Sequence, residues 1–225
     1  MKENKVDGYF LPHEDEFLSE YLPKYTERLK WLTNFSGSAG HAIISANSEV
    51  KSVLISDGRY ELQLKKEVDP KYFDCLTGGF KDICLFLKKN EKKIKNIGID
   101  PWLLTLKQYE LLKGLLKGSK IKFEFVDKNL IDEIWVKKNL IVKNKIFEIS
   151  NQINGESVSS KFNRLKKIIK KNNCDFYILF NPAGLSWLLN IRGRDLKYSP
   201  VIRSFCVISK TGEVFIFTKN HIPVS

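Results

Sequence analysis

Four groups of residues have the types and spacing to do chemistry: the turn SDGRY at 56–60, the glycine–serine run SGSAG at 36–40, the acidic stretch HEDE at 13–16, and cysteines at 75, 84, 174 and 206. In SDGRY a strand ends at Ser56, Asp57-Gly58 turns the chain, and Arg59 opens a helix. Polar residues at the end of a sheet strand are where α/β proteins place ligands. The guanidinium of Arg59 presents a planar fork to a carboxylate or a carbonyl. The same side chain also has a structural reading, an ion pair with Asp57 or Glu61, and on the residues alone that reading is preferred.

The run SGSAG raises the question of a phosphate cradle. A P-loop needs a strand before it, a helix after it and a Lys-Ser/Thr pair, and a dinucleotide fingerprint needs the same strand–turn–helix order. Here a helix precedes the glycines and the strand HAIIS follows, so no helix N-terminus faces an anion. Small residues at this point instead let two backbones approach closely. The four cysteines form no CxxC pair, and no histidine stands at metal-finger spacing from them, which reads as free reduced thiols in or near a core. The three histidines are equally scattered.

The elements that position these residues follow from periodicity. DGYFLP (7–12) is a strand closed by Pro12, DEFLSEYL (15–22) has helical spacing before Pro23, and ERLKWLTNF (27–35) is a second short helix. HAIISA (41–46) and VKSVLIS (50–56) form a hairpin, and a helix with Leu62 and Leu64 among its apolar positions follows DGRY. YFDCLTGG, NIGID and KIKFEFV are strands; KDICLFLKK, LKQYELLKGLLKG and NLIDEIWV are helices. The mixture predicts an α/β domain. Residues 137–156 lack periodicity and read as a linker. KFNRLKKIIKKNN then begins a second unit of helix, strand CDFYILF, helix PAGLSWLLN and strands SFCVIS and EVFIFTK. In its helix Leu165, Ile168 and Ile169 form an apolar stripe with lysines opposite. Its order echoes the first half, but about 70 residues are few for a self-sufficient α/β core, so this second domain reads as incomplete.

The 225 residues suit one large domain or two smaller ones, and no apolar run has the roughly 18–20 residues of a membrane span. MKENKVDGYFLPHEDE lacks a signal-peptide core, which points to the cytoplasm and away from membranes. The net charge of +12 could attract nucleic acid, but the lysines are spread along the chain and their densest groups lie on helix faces, so nucleic-acid binding is disfavoured.

The run DGYFLPHEDEFLSEYLPKYTERLKWLTNFSGSAGHAIIS, followed by LISDGRYELQ, resembles the creatinase-like N-terminal domain of Xaa-Pro aminopeptidases. IGIDPWLLT, NLIDEIW and SWLLNIRGRDLKYSPVIRSFCVIS resemble later signatures of the three-domain form, in the same order. The resemblance implies two related creatinase-type domains with mixed sheets flanked by helices, at 1–137 and 157–225, joined by a linker at 138–156. In that family a third, C-terminal domain carries the metal ligands, binds manganese and removes a residue that precedes proline. The expectation is therefore a non-catalytic N-terminal portion with no catalytic residue, metal ligand or cofactor of its own, manganese belonging to the absent domain, and HEDE is not a ligand set. Such a portion contributes to substrate access and dimer assembly. Its partners are a second copy or a separately encoded catalytic chain, and peptides with proline at the second position if it is so complemented. One half of a split peptidase and a basic binding module are the alternatives. The resemblance also makes Arg59 a substrate-binding residue and gives SGSAG a role of shape. The chain departs from the family pattern at Ala183-Gly184, where an acidic pair is usual, and at Arg203, where an apolar residue is usual.

Overall fold

A computed structural model describes residues 1–136 and 145–218. The chain divides into two compact units, Met1–Leu140 and Ile141–Ser225.

In the first unit the strands β1 (Gly8–Pro12), β2 (His41–Ser45), β3 (Ser52–Ser56), β4 (Phe73–Thr77), β5 (Asn96–Ile99) and β6 (Lys122–Phe125) form one sheet in the order β4-β3-β2-β1-β5-β6. β1, β2 and β3 are antiparallel neighbours, whereas β4 joins β3, β5 joins β1 and β6 joins β5 in parallel. Every residue of β1 is buried, as an apolar strand covered on both faces should be. Tyr9 and Leu11 enter one core with Leu29, Phe35, Leu54, Leu64 and Leu130. Phe10 enters the other with Ile43, Ile83, Leu87 and Leu112. The helices are α1 (Arg28–Thr33), α2 (Glu61–Glu67), α3 (Phe80–Lys89), α4 (Leu106–Leu115) and α5 (Leu130–Ile134). α1, α2 and α5 supply the first core and α3 and α4 the second, giving three layers.

Local chemistry fixes the element ends. Asn34 closes α1 in the left-handed region, at φ 65°. Thr105 and Gln108 open α4 with a reciprocal capping box, Gln108 N–H donating to Thr105 Oγ1 and Thr105 N–H to Gln108 Oε1. Asn129 caps α5 by accepting from Ile131 N–H and Asp132 N–H, and its amide donates to the buried Asp100 at 2.8 Å.

The second unit contains β7 (Phe147–Glu148), α6 (Asn151–Asn154), α7 (Val158–Lys171), β8 (Phe176–Leu179), α8 (Pro182–Leu188), β9 (Ile191–Arg192), β10 (Ser204–Ser209) and β11 (Val214–Thr218). β11, β10 and β8 form an antiparallel sheet in that order, and β7 pairs with β9. Ile169, Leu185, Leu188, Ile202, Cys206 and Ile208 form its core. Of the expected linker, 137–144 lies outside the described residues, and beyond it Ile146 is buried in this core.

Three expectations are corrected. Residues 15–22 are not a helix: the buried Asp15 carboxylate accepts from Phe17 N–H and Ser19 N–H, and Leu18 has φ 53°. A side chain that captures the next backbone donors supports a turn and competes with a helix. Leu62 is 81% exposed, and only Leu64 of that pair is buried. Ile168 is exposed, and the inward face of α7 carries Lys161, Leu165 and Ile169, spaced four apart.

Candidate functional site

Asp57 and Arg59 stand at the C-terminal end of β3, in a single 3₁₀ turn (Gly58–Tyr60) that leads into α2. The Asp57 carboxylate does three things there. It accepts from Arg59 N–H at 3.0 Å, from Arg59 Nε at 2.9 Å and from Arg59 Nη2 at 2.8 Å. This bidentate pair raises the pKa of Arg59 and lowers that of Asp57, the Arg59–Asp57 hydrogen bond being the main cause of each. The Arg59 side chain is 68% exposed, and its guanidinium carbon lies 5.3 Å from the Tyr60 ring centroid. Two of five guanidinium N–H groups are used by Asp57, which leaves the charge oriented and the rest of the fork turned to solvent.

The SGSAG loop packs against this turn. Tyr60 Oη and Ser38 Oγ are 2.9 Å apart, and Ser38 donates to Glu20 Oε1 at 3.1 Å. His13 Nε2 lies 2.9 Å from the Glu20 carbonyl, and His13 N–H donates to the Gly40 carbonyl. The Ser56 hydroxyl donates to the Ala39 carbonyl at 2.6 Å. The Phe35 ring stands edge-on to Tyr60 at 5.7 Å, and a Cβ on Gly37 would overlap that ring. Gly37 is therefore a packing requirement. The loop does hold an anion, but it is the protein's own: Ser36 N–H and Oγ both donate to Glu67. Burial works against that charge, and the Ser36 and Gln63 bonds offset it, so the Glu67 pKa is lowered.

The HEDE stretch is dispersed. Asp15 serves the backbone, His13 bonds to a carbonyl, and Glu16 lies 3.9 Å from Arg28. Among the described residues, no group of three or more His, Cys, Asp or Glu side chains is placed to hold a metal ion. The donor set among the described residues does not fit a manganese pair. Cys84 and Cys206 are buried, and burial pushes each thiol up to about 11. A cleft of about 880 Å³ lies beside β4 and is lined by Lys51, Leu64, Asp74, Leu85 and Phe86 among others; Arg59 is not in its wall.

Sequence reading singled out the runs that hold Ser38 and Tyr60 but did not join them to each other or to Glu20, and it missed Glu67 as the partner of Ser36. It also missed Lys161. That ammonium is buried and donates to the Trp187 carbonyl at 2.7 Å and to Asn190 Oδ1 at 2.6 Å. Burial lowers its pKa, with Glu156 acting in the opposite direction. Its spacing from Leu165 and Ile169 was the available signal.

The chain belongs to the creatinase/prolidase N-terminal domain family: one model of that description matches residues 1–134 and a second matches residues 137–223. Its relatives are Xaa-Pro aminopeptidases. A probable Xaa-Pro aminopeptidase P of Laccaria bicolor is 33% identical over 221 residues, covering 96% of this chain and 34% of that protein. The Xaa-Pro aminopeptidase ApepP of Drosophila melanogaster is 28% identical, over 97% of this chain and 36% of its own length. Among solved structures, the X-prolyl aminopeptidase of Caenorhabditis elegans, described as a cytosolic enzyme with a di-nuclear active site, superposes with a TM-score of 0.85 at 27% identity, covering 96% of this chain and 35% of that one. The chain thus resembles the N-terminal part of these peptidases and spans about a third of their length. Among the described residues, no helix is long and apolar enough to cross a membrane.

Proposed function

We propose that this chain is a non-catalytic N-terminal portion of an Xaa-Pro aminopeptidase-like metallopeptidase that acts in substrate access and assembly. The observation that carries this is the Arg59 guanidinium, held by Asp57 at a strand end and exposed beside Tyr60. In this reading Arg59 is the substrate-binding residue. Its free N–H groups hold an oxygen of a peptide with proline at its second position, and the manganese pair belongs to a catalytic domain that a second polypeptide or a longer chain supplies. The cytoplasm is its compartment. Two-metal hydrolysis needs a clamp that generates hydroxide and polarises the carbonyl, and the described residues do not form one. The test is direct: purified chain with added manganese is expected to release no residue from an Xaa-Pro-Pro peptide above a blank preparation. Metal-dependent release above that blank overturns the proposal.

A further inference from the structure

Among the described residues the six-stranded sheet of the first unit has two edges, β4 and β6, and they are finished differently. On β4 the charged side chain, Asp74, is paired with Lys51 at 2.9 Å. On β6 both signs stand on one strand: Lys122 and Glu124 are exposed and, two residues apart, point to the same face. Among the described residues neither has an ion-pair partner. The backbone of this edge is open as well. Lys122 N–H donates to the Lys95 carbonyl at 2.8 Å and Val126 N–H to the Ile99 carbonyl at 3.0 Å, so the even-numbered residues face β5. Successive residues alternate, and Phe123 and Phe125 therefore turn their N–H and C=O groups outward. Phe125 is 58% exposed, and its ring and that of Phe123 lie 5.3 and 5.9 Å from the Tyr109 ring. A lysine on an edge ordinarily discourages a second strand. A glutamate two residues further on removes that obstacle for one particular strand.

We infer that β6 pairs with β6 of a second copy of this chain, antiparallel about a two-fold axis through Phe123. The stretch IKFEF at 121–125 is complementary to itself in that register. Lys122 stands opposite Glu124 of the second copy, Glu124 opposite its Lys122, and Ile121 opposite its Phe125. Phe123 meets its own counterpart and exchanges both backbone bonds with it, as the outward direction of its N–H and C=O requires. Shifting the axis to Lys122 or to Glu124 sets that charge against its own copy, and like charges directly opposite are destabilising. Ile121 also lines a groove of about 390 Å³ with Tyr109 and Leu116, and this register brings Phe125 of the second copy beside it. A two-fold contact of this kind uses one self-complementary patch twice. The inference gives the assembly part of the proposed reading a surface and rests on that part alone.

The test is sedimentation velocity of the 225-residue chain from roughly 5 to 500 μM, since two short strands bury little area and bind weakly. The mass is expected to rise from one chain towards two. Lys122→Glu and Glu124→Lys each turn both cross-strand pairs into like charges, and each is expected to weaken association by at least about tenfold. Both positions are exposed, so the variants keep the fold. Mixed in equal amounts, the two variants meet opposite charges at every position and are expected to associate again. Mere damage to the strand would not be repaired by mixing. Amide exchange locates the contact: protection of Phe123 and Phe125 is expected to grow with concentration. A single-chain mass throughout overturns the inference. So does a dimer indifferent to both substitutions, a mixture no tighter than either variant alone, or protection that grows on β4 in place of β6. None of these readouts needs a catalytic domain or a peptide, so the peptidase reading stands or falls separately, on the peptide-release measurement.

Discussion

Arg59 forms the ion pair with Asp57 that its sequence context allows, and its guanidinium still faces solvent. The pair is exposed and adds little stability; its effect is to hold the fork in one direction. Arg59→Ala, in a chain joined to a related catalytic domain, is therefore expected to leave the melting temperature nearly unchanged. It should lower kcat/KM by about 10- to 150-fold, the loss of a charge-assisted hydrogen bond worth roughly 1.5–3 kcal/mol. A lowered melting temperature with unchanged kinetics would make Arg59 purely structural. His41 shows how a residue without a site role still has a measurable consequence. Its ring stacks on Phe80 at 4.6 Å and on Phe10 at 5.8 Å. Burial lowers its pKa, with Glu14 opposing and His13 reinforcing the shift. The unfolded chain thus binds a proton that the folded chain refuses, so stability is full above the unfolded value of about 6.5 and is lost as pH falls through it towards the folded pKa. Melting temperatures between pH 7.5 and 5 should fall more for the wild type than for His41→Phe, and parallel curves would refute this.

At the scale of elements, the sheet was legible and the connections were less so. GYFLP, HAIIS and SVLIS are short apolar runs bounded by turn residues and are strands as expected, and the SGSAG loop was placed correctly between α1 and β2. The stretch 15–22 misled because helical spacing was present, but its backbone turns at Leu18, in the left-handed region at φ 53°, and the Asp15 carboxylate holds that turn. The network joining Tyr60, Ser38 and Glu20 was not legible, because its members lie 18 and 22 residues apart and no local period connects them. The clamp between α1 and α5 is of the same long-range kind. Arg28, whose side chain is 9% exposed, donates to Asp132 from Nε at 2.9 Å and from Nη2 at 2.8 Å across 104 residues. Burial opposes its charge, but the Asp132 bonds prevail and its pKa is raised. Asp132→Ala would leave that cation buried, with Glu16 at 3.9 Å in partial compensation. The expected cost is about 1.5–3 kcal/mol in denaturant unfolding of the first unit. A change below about 0.5 kcal/mol would show that Glu16 takes over the pairing.

For the whole molecule the large question is what the net charge of +12 means. A nucleic-acid reader concentrates its cations on one face and leaves them unpaired, because affinity comes from neutralising successive phosphates. Here several lysines are engaged with carboxylates on different elements: Lys51 with Asp74, Lys65 with Glu61, Lys93 with Glu49 and Lys210 with Asp175. Lys161, the buried one, serves Trp187 and Asn190. Those pairs contribute little stability singly, but each sets a carboxylate beside a lysine, which weakens the local attraction for a phosphate. Binding to duplex DNA is then expected to be weak, independent of sequence and detectable only at low salt. Affinity and its fall with salt both grow with the number of phosphates neutralised at once. A surface that neutralises few of them binds weakly even at low salt, and the modest further fall is enough to release DNA by about 150 mM. Fluorescence anisotropy of a labelled duplex, titrated at about 50 and 150 mM salt with two unrelated sequences, reads this directly. A tight complex at the higher salt that prefers one sequence would establish a concentrated basic surface and move the chain from peptidase assembly to nucleic-acid recognition.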